Sequence, residues 1–557
     1  MVVPAICDGA DVSWIGGSSA WVDGNAGDAL WNPADEPDAD DTARFNQPHE
    51  MAMGSNNQIA RLEMSSRAEL STAGWDLTVA EDIRLMSGGG VTLVIDEGSQ
   101  VSAAAWRIDP AASLALQGGR LQLREQAGVG QGVIDGDAYL TGYGVVAADF
   151  AATRVAIVND GIILVDRLPL VPWEPRPTGM LQLTGNAQAL IDLDGQSESG
   201  IVSVQDNQTL KLDLAMTDAF SGTMNLFVNS RFESQHEWTL ESGAIYANNG
   251  ADLDANQSAG IAYIVAPKLR QTGGTIHVTD GDGRLDVLGD FEMLGGAIVN
   301  RGRTVLQGRS HIAAGTVING GGTLTVSEKG ELETATGVTL GINLENNGAL
   351  RPGGDDAIGN LPLQGFQQTR DGKLFLEMRG SDPDSIDRLA VNAPAFLEGL
   401  LNVEVGGAFV PTLGDTFEVL TSVGGVRGKF QQLDVSGMPD NLTFRVLYQP
   451  TSVLLQAISK PEFAADFDDD GDVDASDLNV WKQSLGQSAA GDADGDLDTD
   501  GADFLHWQRQ SGSGSLIVNS PPQLSAAPEP GAAVLSAFAA IIVLAQRRRA
   551  LSDERNS

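Results

Sequence analysis

Short apolar runs alternate with polar residues from about position 60 to position 350. Clear cases are 91–95, 114–123 and 274–278, and Gly, Asn or Asp residues interrupt the runs. Strict alternation of apolar and polar residues indicates half-buried β-strands, and no stretch of this region keeps a helical period for long. The pattern therefore predicts a mainly β body.

A weak internal repeat runs through the same region. Four segments share a small–small–x–aliphatic form, and the first three are spaced by 22 and 19 residues: 273–276, 295–298, 314–317 and 321–324. A period of about 20 residues predicts an elongated β-solenoid like a parallel β-helix, because each coil can bury its apolar face only against its neighbours. Asn tolerates left-handed backbone geometry, so corner positions are expected for Asn300, Asn319, Asn346 and Asn347. An irregular β-sandwich with Gly turns is the alternative.

The two ends of this region have a different pattern. Trp14, Trp21 and Trp31 stand among Gly, Asn, Asp and Pro, which predicts short strands and core tryptophans at the start of the β fold. Longer alternating segments follow position 350, and they predict a β-rich closing segment with strands at 373–378, 399–405, 416–420 and 442–448.

These end regions carry a family resemblance. The closing segment contains, in order, LRPG (350–353), IDRLAV (386–391), LEGLLNVEV (397–405), PTLGDTFEVL (411–420) and VRGKF (426–430). This series and the Trp-rich start resemble secreted bacterial proteins with autotransporter-associated β-strand repeats. A true autotransporter ends in a membrane barrel of many alternating strands, and the C-terminal residues of this chain do not show that pattern. The resemblance therefore concerns the repeats and not the export route.

Net charge is the most informative feature of the composition. The 557 residues include 75 Asp and Glu against 34 Lys and Arg, which gives a formal net charge of −41. Such an acidic surface repels nucleic acid and anionic membranes, so no nucleic-acid partner is expected. Cys7 is the single cysteine, so an intrachain disulfide is impossible.

The strongest chemical signal is a run of 13 Asp residues between positions 466 and 503. Its first part has the spacing of an EF-hand loop, with Gly471 at position 6 and Val473, at position 8, expected in the core between the loops. Positions 1, 3, 5, 7, 9 and 12 supply the predicted Ca²⁺ ligands Asp466, Asp468, Asp470, Asp472, Asp474 and Asp477. A helix is predicted at 478–485, ending at Gly486.

A second run starts 26 residues later and repeats the arrangement. Its predicted ligands for a weaker Ca²⁺ site are Asp492, Asp494, Asp496, Asp498, Asp500 and Asp503. A duplicated loop with a following helix and Asp at position 12 resembles type I dockerin. The resemblance implies a small all-α, EF-hand-like module whose helices pack through Trp481 and Trp507.

The second loop departs from the dockerin pattern. Leu497 replaces the position-6 glycine, and Thr499 stands where an aliphatic residue is usual. Positive φ costs Leu about 1–2 kcal/mol, so the second site is predicted to bind Ca²⁺ more weakly than the first. Cellulosomal dockerins have hydroxylated or charged residues at loop positions 10 and 11, where this chain has Ala475-Ser476 and Gly501-Ala502. A cohesin-like partner is therefore implied by analogy alone. A self-contained calcium clamp is the alternative.

The C-terminal region contains a Gly/Ser/Pro linker, a Pro-Glu-Pro motif, an apolar run at 531–545 and an arginine cluster. This order resembles a PEP-CTERM sorting signal, with motif residues Pro528, Glu529, Pro530, Arg547, Arg548 and Arg549. The resemblance implies an exosortase-like processing protease and transient membrane insertion of a C-terminal hydrophobic helix. The apolar run has 15 residues, which is marginal for crossing a bilayer, and a plain membrane anchor is the alternative.

Secretion requires an export signal. The first six residues, MVVPAI, carry no basic residue and are too short for the apolar region of a signal peptide. We expect a start recorded too late rather than an unconventional signal.

These features predict a non-catalytic structural or adhesive protein of the bacterial cell surface or extracellular matrix, associated with polysaccharide. The alternative is a polysaccharide-degrading glycoside hydrolase or lyase on a β-helix that carries a dockerin. No catalytic residue is selected, because 75 acidic residues make chance carboxylate pairs common. No pair of the five histidines has metal-ligand spacing.

The predicted organisation has six parts. They are a Trp-rich N-terminal segment (1–60), the β-strand-repeat solenoid (61–350), the β-rich closing segment (351–458), the dockerin-like calcium module (462–511), a linker (512–527) and the sorting tail (528–557).

Overall fold

A computed structural model shows a mainly β protein, as the alternating pattern predicts. It describes residues 11–15, 20–21, 31–32, 37–126, 130–167, 177–197, 199–247, 260–279, 283–355, 357–460, 463–468 and 472–513. Within these ranges the strands form three sheets, of 10, 31 and 9 strands, and most neighbouring strands are parallel.

The strands of the first half are β1 (Asp11–Trp14), β2 (Ala20–Trp21), β3 (Trp31–Asn32), β4 (Thr42–Phe45), β5 (Glu50–Met53), β6 (Asn57–Ile59), β7 (Arg61–Met64), β8 (Glu69–Ser71), β9 (Leu77–Val79), β10 (Asp82–Leu85), β11 (Val91–Asp96), β12 (Gln100–Ala103), β13 (Ala105–Ile108), β14 (Ala112–Arg124), β15 (Gln131–Ile134), β16 (Tyr139–Asp149), β17 (Arg154–Asn159), β18 (Ile162–Val165), β19 (Gly179–Gly185), β20 (Ala189–Asp192), β21 (Ile201–Val204), β22 (Gln208–Leu212), β23 (Ala215–Met216), β24 (Thr223–Leu226) and β25 (Arg231–Ser234).

The strands of the second half are β26 (Trp238–Leu240), β27 (Ala244–Ala247), β28 (Ile261–Val265), β29 (Lys268–Gln271), β30 (Thr275–Val278), β31 (Arg284–Val287), β32 (Asp290–Met293), β33 (Ala297–Asn300), β34 (Arg303–Leu306), β35 (Arg309–Ile312), β36 (Val317–Asn319), β37 (Thr323–Val326), β38 (Glu331–Thr334), β39 (Leu340–Asn346), β40 (Ala349–Pro352), β41 (Asn360–Gln368), β42 (Lys373–Met378), β43 (Arg388–Val391), β44 (Ala395–Leu397), β45 (Leu400–Val405), β46 (Thr416–Ser422), β47 (Val426–Gly428), β48 (Gln432–Ser436), β49 (Leu442–Tyr448) and β50 (Ser452–Ser459). The helices of the described residues are a 3₁₀ turn at Pro383–Ser385, α1 (Ala475–Ser484) and α2 (Gly501–Gln510).

Most strands in the middle of the chain pair in parallel with the strand three places later. β27 pairs with β24 and β30, β28 pairs with β25 and β31, and β29 pairs with β26 and β32. Three consecutive strands, here called a triplet, therefore hydrogen-bond to the triplets before and after them. Ile276 aligns with Ile298 of the next triplet, and Ile298 aligns with Ile318 of the one after.

Side-chain alternation explains why these short segments become strands. In β30, Ile276 and Val278 are buried, whereas Thr275 and His277 are only partly buried. The same alternation recurs in most strands, and the inward side chains join one apolar cluster that extends in sequence from Val12 to Ala457. Because successive triplets are in register, each buried aliphatic residue packs on its equivalent in the neighbouring triplet.

The glycine pairs of the repeat have a steric role. A Cβ on Gly273 would lie 1.9 Å from the carbonyl oxygen of Glu241, in the preceding triplet. The next residue, Gly274, has φ of +61°, and its equivalent Gly296 has φ of +76°. Only glycine fits both conditions readily, so the small–small pair marks a tight turn where neighbouring triplets touch.

The predicted phase of the repeat is wrong in its third and fourth copies. Ile318 continues the buried column of Ile276 and Ile298, whereas Val317 is 48% exposed. A shift of one residue along a strand moves a side chain to the opposite face, and the segment 314–317 is one residue out of phase. The segment 321–324 leads into β37, which pairs with β34 and belongs to a different column of strands.

The four asparagines expected at corners lie at or just after strand ends, but they do not use left-handed backbone geometry. None of Asn300, Asn319, Asn346 and Asn347, all within the described residues, has a positive φ. Asn300 and Asn346 are instead fully buried, and their Nδ2 atoms donate to the carbonyl oxygens of Thr323 at 2.9 Å and Lys373 at 3.0 Å. A buried amide group needs hydrogen-bond partners, and the carbonyl oxygens of the neighbouring triplet accept from these two.

An aromatic cluster fills the N-terminal end of the core. Trp14, Trp21, Trp31 and Phe45 are each no more than 1% exposed, which confirms that the three tryptophans are core residues. The ring centroids of Trp14 and Trp31 lie 5.0 Å apart, and those of Trp21 and Trp31 lie 5.5 Å apart, both with edge-to-face geometry. This geometry is the favoured one for aromatic pairs.

Parallel pairing continues beyond position 350. β42 pairs with β45, and β45 pairs with β48, again in parallel. The pattern changes at β50, which runs antiparallel to both β46 and β49. An antiparallel strand occupies hydrogen-bonding positions that a further parallel triplet would otherwise use.

Neither α-helix of the described residues is long and apolar enough to cross a lipid bilayer. The apolar run at 531–545, for which a C-terminal helix is predicted, lies outside the described residues.

Asp387 is a buried carboxyl group that ties together the closing segment. Its Oδ1 accepts a hydrogen bond from the Gly359 amide at 2.6 Å, and its Oδ2 accepts one from the Glu377 amide at 2.7 Å. Burial raises the pKa of Asp387 to about 8, although both hydrogen bonds act in the opposite direction. A group with different pKa values in the folded and unfolded chain makes the free energy of unfolding depend on pH.

We expect the stability advantage of the wild-type protein over Asp387→Asn to shrink as pH rises from about 4 to about 8. The folded pKa lies above the unfolded value of about 3.9, so the contribution is fully present at low pH and is lost as pH rises, by at most about 1.4 kcal/mol per pH unit. Urea midpoints across this range measure the difference. Asp384→Asn, at an exposed carboxyl group of the same segment, is the matched control for replacing a carboxylate. A constant difference between wild type and Asp387→Asn would contradict the assignment.

Candidate metal centre

Each α-helix begins at an aspartate that caps its N-terminus. Oδ1 of Asp474 and Oδ1 of Asp500 accept hydrogen bonds from the amide two residues further on, at 2.5 and 2.6 Å. A short acidic side chain at this position satisfies amides that no helical carbonyl reaches. The capping residues' own amides donate to Asp477 and Asp503, which completes a reciprocal capping box in both helices. Both predicted helices are present, although α1 begins three residues before the predicted start at 478 and ends at Ser484.

Asp477 and Asp503, at position 12 of the two loops, are fully enclosed carboxylates, with 0% exposure. Asp477 accepts hydrogen bonds from the amides of Phe467 (2.6 Å), Asp468 (3.2 Å) and Asp474 (2.7 Å). Asp503 accepts the equivalent bonds from the amides of Ala493 (2.7 Å), Asp494 (3.3 Å) and Asp500 (2.7 Å). Each carboxylate therefore fastens the start of its loop to the start of the following helix.

The structure brings carboxylates together around these two residues. Each loop contains two groups of three aspartates, and within a group one carboxylate oxygen of every member lies within 4.8 Å of the others. The groups of the first loop are Asp466–Asp468–Asp477 and Asp472–Asp474–Asp477. The groups of the second loop are Asp492–Asp494–Asp503 and Asp498–Asp500–Asp503. Positions 1, 3, 7, 9 and 12 are therefore grouped identically in both loops. Asp496, at position 5 of the second loop, belongs to neither group. Asp470 and Gly471 lie outside the described residues.

Leu497 has the left-handed backbone that its loop position predicts, with φ of +68°. Its amide donates to Oδ2 of Asp492 at 2.8 Å, and the Gly495 amide donates to Oδ1 of the same carboxylate at 2.7 Å. The leucine side chain is partly buried against the apolar cluster of the β body. The strained backbone therefore directs an amide at a loop carboxylate and places an apolar side chain against the sheets.

The residues at position 8 are buried in both loops, although one of them is polar. Val473 is 0% exposed and Thr499 is 1% exposed. The Thr499 hydroxyl donates to the carbonyl of Ser488 at 2.6 Å and accepts from the Gly491 amide at 3.0 Å. These two bonds compensate for burying the hydroxyl where an aliphatic side chain is usual.

Burial, and then the negative charges of Asp503 and Asp496, raise the pKa of Asp492 to about 6, against hydrogen bonds from two loop amides. Burial also raises the pKa of Asp494 and Asp498, and neighbouring aspartates add to both shifts. Carboxylates held this close repel one another, and a bound cation would remove that cost.

A third acidic group lies in the β body and was not selected from the sequence. Carboxylate oxygens of Asp192, Asp194 and Asp218 lie within 4.8 Å of one another. Burial raises the pKa of Asp194 to about 6, although the Ser221 amide donates to its Oδ2 at 2.5 Å. Asp192 and Asp194 are neighbours in sequence, but Asp218 joins them only through the stacking of successive strands. No local spacing rule could have found this group.

The predicted sorting residues, Pro528, Glu529, Pro530, Arg547, Arg548 and Arg549, lie outside the described residues, as does Cys7. No protein-family model matches this chain, and a search of curated proteins finds no significantly similar sequence. The resemblances to dockerin, to β-strand-repeat proteins and to a sorting signal therefore stay hypotheses, carried by the residues quoted for each.

Proposed function

We propose that this chain is a non-catalytic, secreted structural or adhesive protein of the bacterial cell surface or extracellular matrix, with a dockerin-like module stabilised by Ca²⁺. The module binds one ion in each acidic loop. The β body presents a surface to an extracellular partner.

The equivalence of the two loops carries the calcium assignment. The loops start 26 residues apart, and their position-12 aspartates accept the same three amide hydrogen bonds. The same five loop positions group their carboxylates in both halves. Solvated acidic runs have no reason to repeat such a geometry, whereas Ca²⁺ requires about six to eight hard oxygens converging on one point.

The β body is proposed to be a β-solenoid in which each triplet is one coil. Parallel pairing of most strands in the middle of the chain with the third following strand supports this architecture. Stacking supplies the core without disulfides, which suits an extracellular protein with a single cysteine.

An open groove on the β body supports polysaccharide as the partner of this surface. Apart from Val305 its lining residues are polar or charged, and they include Arg284, Arg303, Gln307, Thr325, Lys329 and Glu345. Such side chains donate and accept hydrogen bonds, as a hydroxyl-rich chain requires. A cohesin-like protein is the partner that the dockerin resemblance suggests for the module.

Export and sorting complete the proposal. The Pro-Glu-Pro motif, the apolar run and the arginine cluster support processing by an exosortase-like protease after transient insertion in the membrane.

We expect the full-length protein to bind two Ca²⁺ ions, and calorimetric titration measures the stoichiometry. Asp477→Asn and Asp503→Asn should each abolish one site or weaken it at least about tenfold, which corresponds to about 1.4 kcal/mol. Asp496→Asn removes a second-loop carboxylate that has no part in capping and should weaken one site without disturbing α2.

Asp218→Asn is the matched control, because it disrupts the acidic group of the β body and leaves both loops intact. Two sites should remain in this variant. Absence of binding at about 1 mM Ca²⁺, or loss of a site in Asp218→Asn alone, would contradict the assignment to the loops.

Leu497→Gly should tighten the second site relative to Leu497→Ala. Both variants remove the side chain that packs on the β body, but only glycine relieves the strain of φ +68°. Relief of about 1 kcal/mol corresponds to about fivefold in affinity. Equal affinities in the two variants would show that backbone strain does not limit this site.

A further inference from the structure

The two tryptophans of the module make reciprocal hydrogen bonds across its halves. Nε1 of Trp481, in α1, donates to the carbonyl oxygen of Asp500 in the second loop at 2.8 Å. Nε1 of Trp507, in α2, donates to the carbonyl oxygen of Asp474 in the first loop, also at 2.8 Å. Both acceptors occupy position 9 and cap the helix that follows. Each indole therefore holds the junction between loop and helix in the opposite half.

Backbone hydrogen bonds follow the same crossed pattern. Val473, at position 8 of the first loop, makes two backbone hydrogen bonds to the residues after α2. Its amide donates to the carbonyl oxygen of Ser513 at 2.9 Å, and its carbonyl oxygen accepts from the amide of Gly512 at 2.8 Å. Thr499, at position 8 of the second loop, accepts a bond from Gly486, which follows α1, at 2.9 Å. Each loop is therefore tied to the end of the other half's helix as well as to its indole.

The aromatic rings fix the position of the indoles. Phe504 lies between the two tryptophans, with ring centroids 4.9 Å from Trp481 and 5.7 Å from Trp507. Packing against one shared ring leaves little freedom to either indole, so the two N–H groups keep their direction toward the opposite loops.

We propose that Trp481 and Trp507 are positioning residues for calcium binding and that each acts on the loop of the other half. This inference rests on the proposed calcium function and names the residues that align its two sites. The indole bond fixes the backbone at position 9, which holds the carboxylates at positions 9 and 12 at the distance required for shared coordination. The two sites are consequently coupled: an ion in one loop orders the helix whose tryptophan supports the other loop.

The test uses the full-length protein and Trp→Phe variants, because phenylalanine keeps an aromatic ring against Phe504 and removes the N–H donor together with the five-membered part of the indole. Calcium affinity is measured by calorimetry with one loop at a time disabled at position 7, by Asp498→Asn or Asp472→Asn, because these grouped carboxylates take no part in the capping boxes. Loss of one hydrogen bond should weaken binding about fivefold. Trp507→Phe should therefore weaken the first loop about fivefold and the second less than about twofold, and Trp481→Phe should do the reverse.

A calcium-free readout keeps this test independent of metal binding. Amide hydrogen exchange in the first turn of α1 should accelerate in Trp507→Phe, while the first turn of α2 keeps its wild-type rate. Trp481→Phe should give the mirror image. If wild-type protein binds no Ca²⁺ but the crossed exchange pattern is present, the proposed function fails and the crossed positioning stands. If each variant affects its own loop, both loops equally or neither, the crossed positioning is overturned.

Discussion

The β body depends on parallel hydrogen bonding between successive triplets, in which a strand pairs with the third strand after it. It forces chemically similar residues to recur about one triplet apart, because each position faces its equivalent in the next triplet. The column through Ile276, Ile298 and Ile318 satisfies this requirement inside the core. Gly273 satisfies it at a turn, where a carbonyl of the preceding triplet leaves no room for a side chain. Buried amides such as that of Asn346 add hydrogen bonds between neighbouring triplets.

The C-terminal module depends on a different kind of interaction. Its helices have ten residues each, and its enclosed side chains include the carboxylates Asp477 and Asp503. Amide hydrogen bonds and crossed indole contacts hold the two loops in matched geometries, but they also hold like charges close together. Bound Ca²⁺ would turn that repulsion into the main cohesive interaction, which is why we propose that the ion is part of the module's structure rather than a ligand added to it.

Much of the fold could be predicted from the sequence, because alternation and glycine turns are local signals. The strands around 91–95, 373–378 and 442–448, and both α-helices, lie where the pattern places them. The phase of the repeat at Val317 could not be predicted, since small residues at a turn do not reveal how many residues the turn contains. The role of Asn300 could not be predicted for a related reason. Its hydrogen-bond partner lies in the neighbouring triplet, and propensity rules describe only the residue's own backbone.

The candidate site likewise has features that local sequence predicts and features that require the structure. Loop spacing alone predicts the five positions whose carboxylates are grouped in both loops, although not the separation of Asp496 from them, and it predicts a positive φ at Leu497. The crossed bonds from Trp481 and Trp507 required the structure, because they join residues 19 and 33 positions apart that no motif links. The hydroxyl bonds of Thr499 likewise explain how a polar residue occupies a buried position that the sequence marked as a departure.

Amide hydrogen exchange of the full-length protein, with and without about 1 mM Ca²⁺, tests the central claim most directly. We predict that Ca²⁺ slows exchange at least about tenfold across 472–513, including the loops and both helices, and leaves the β body from 37 to 460 unchanged. Unchanged exchange in the module, or protection confined to the region around Asp192, Asp194 and Asp218, would contradict the account.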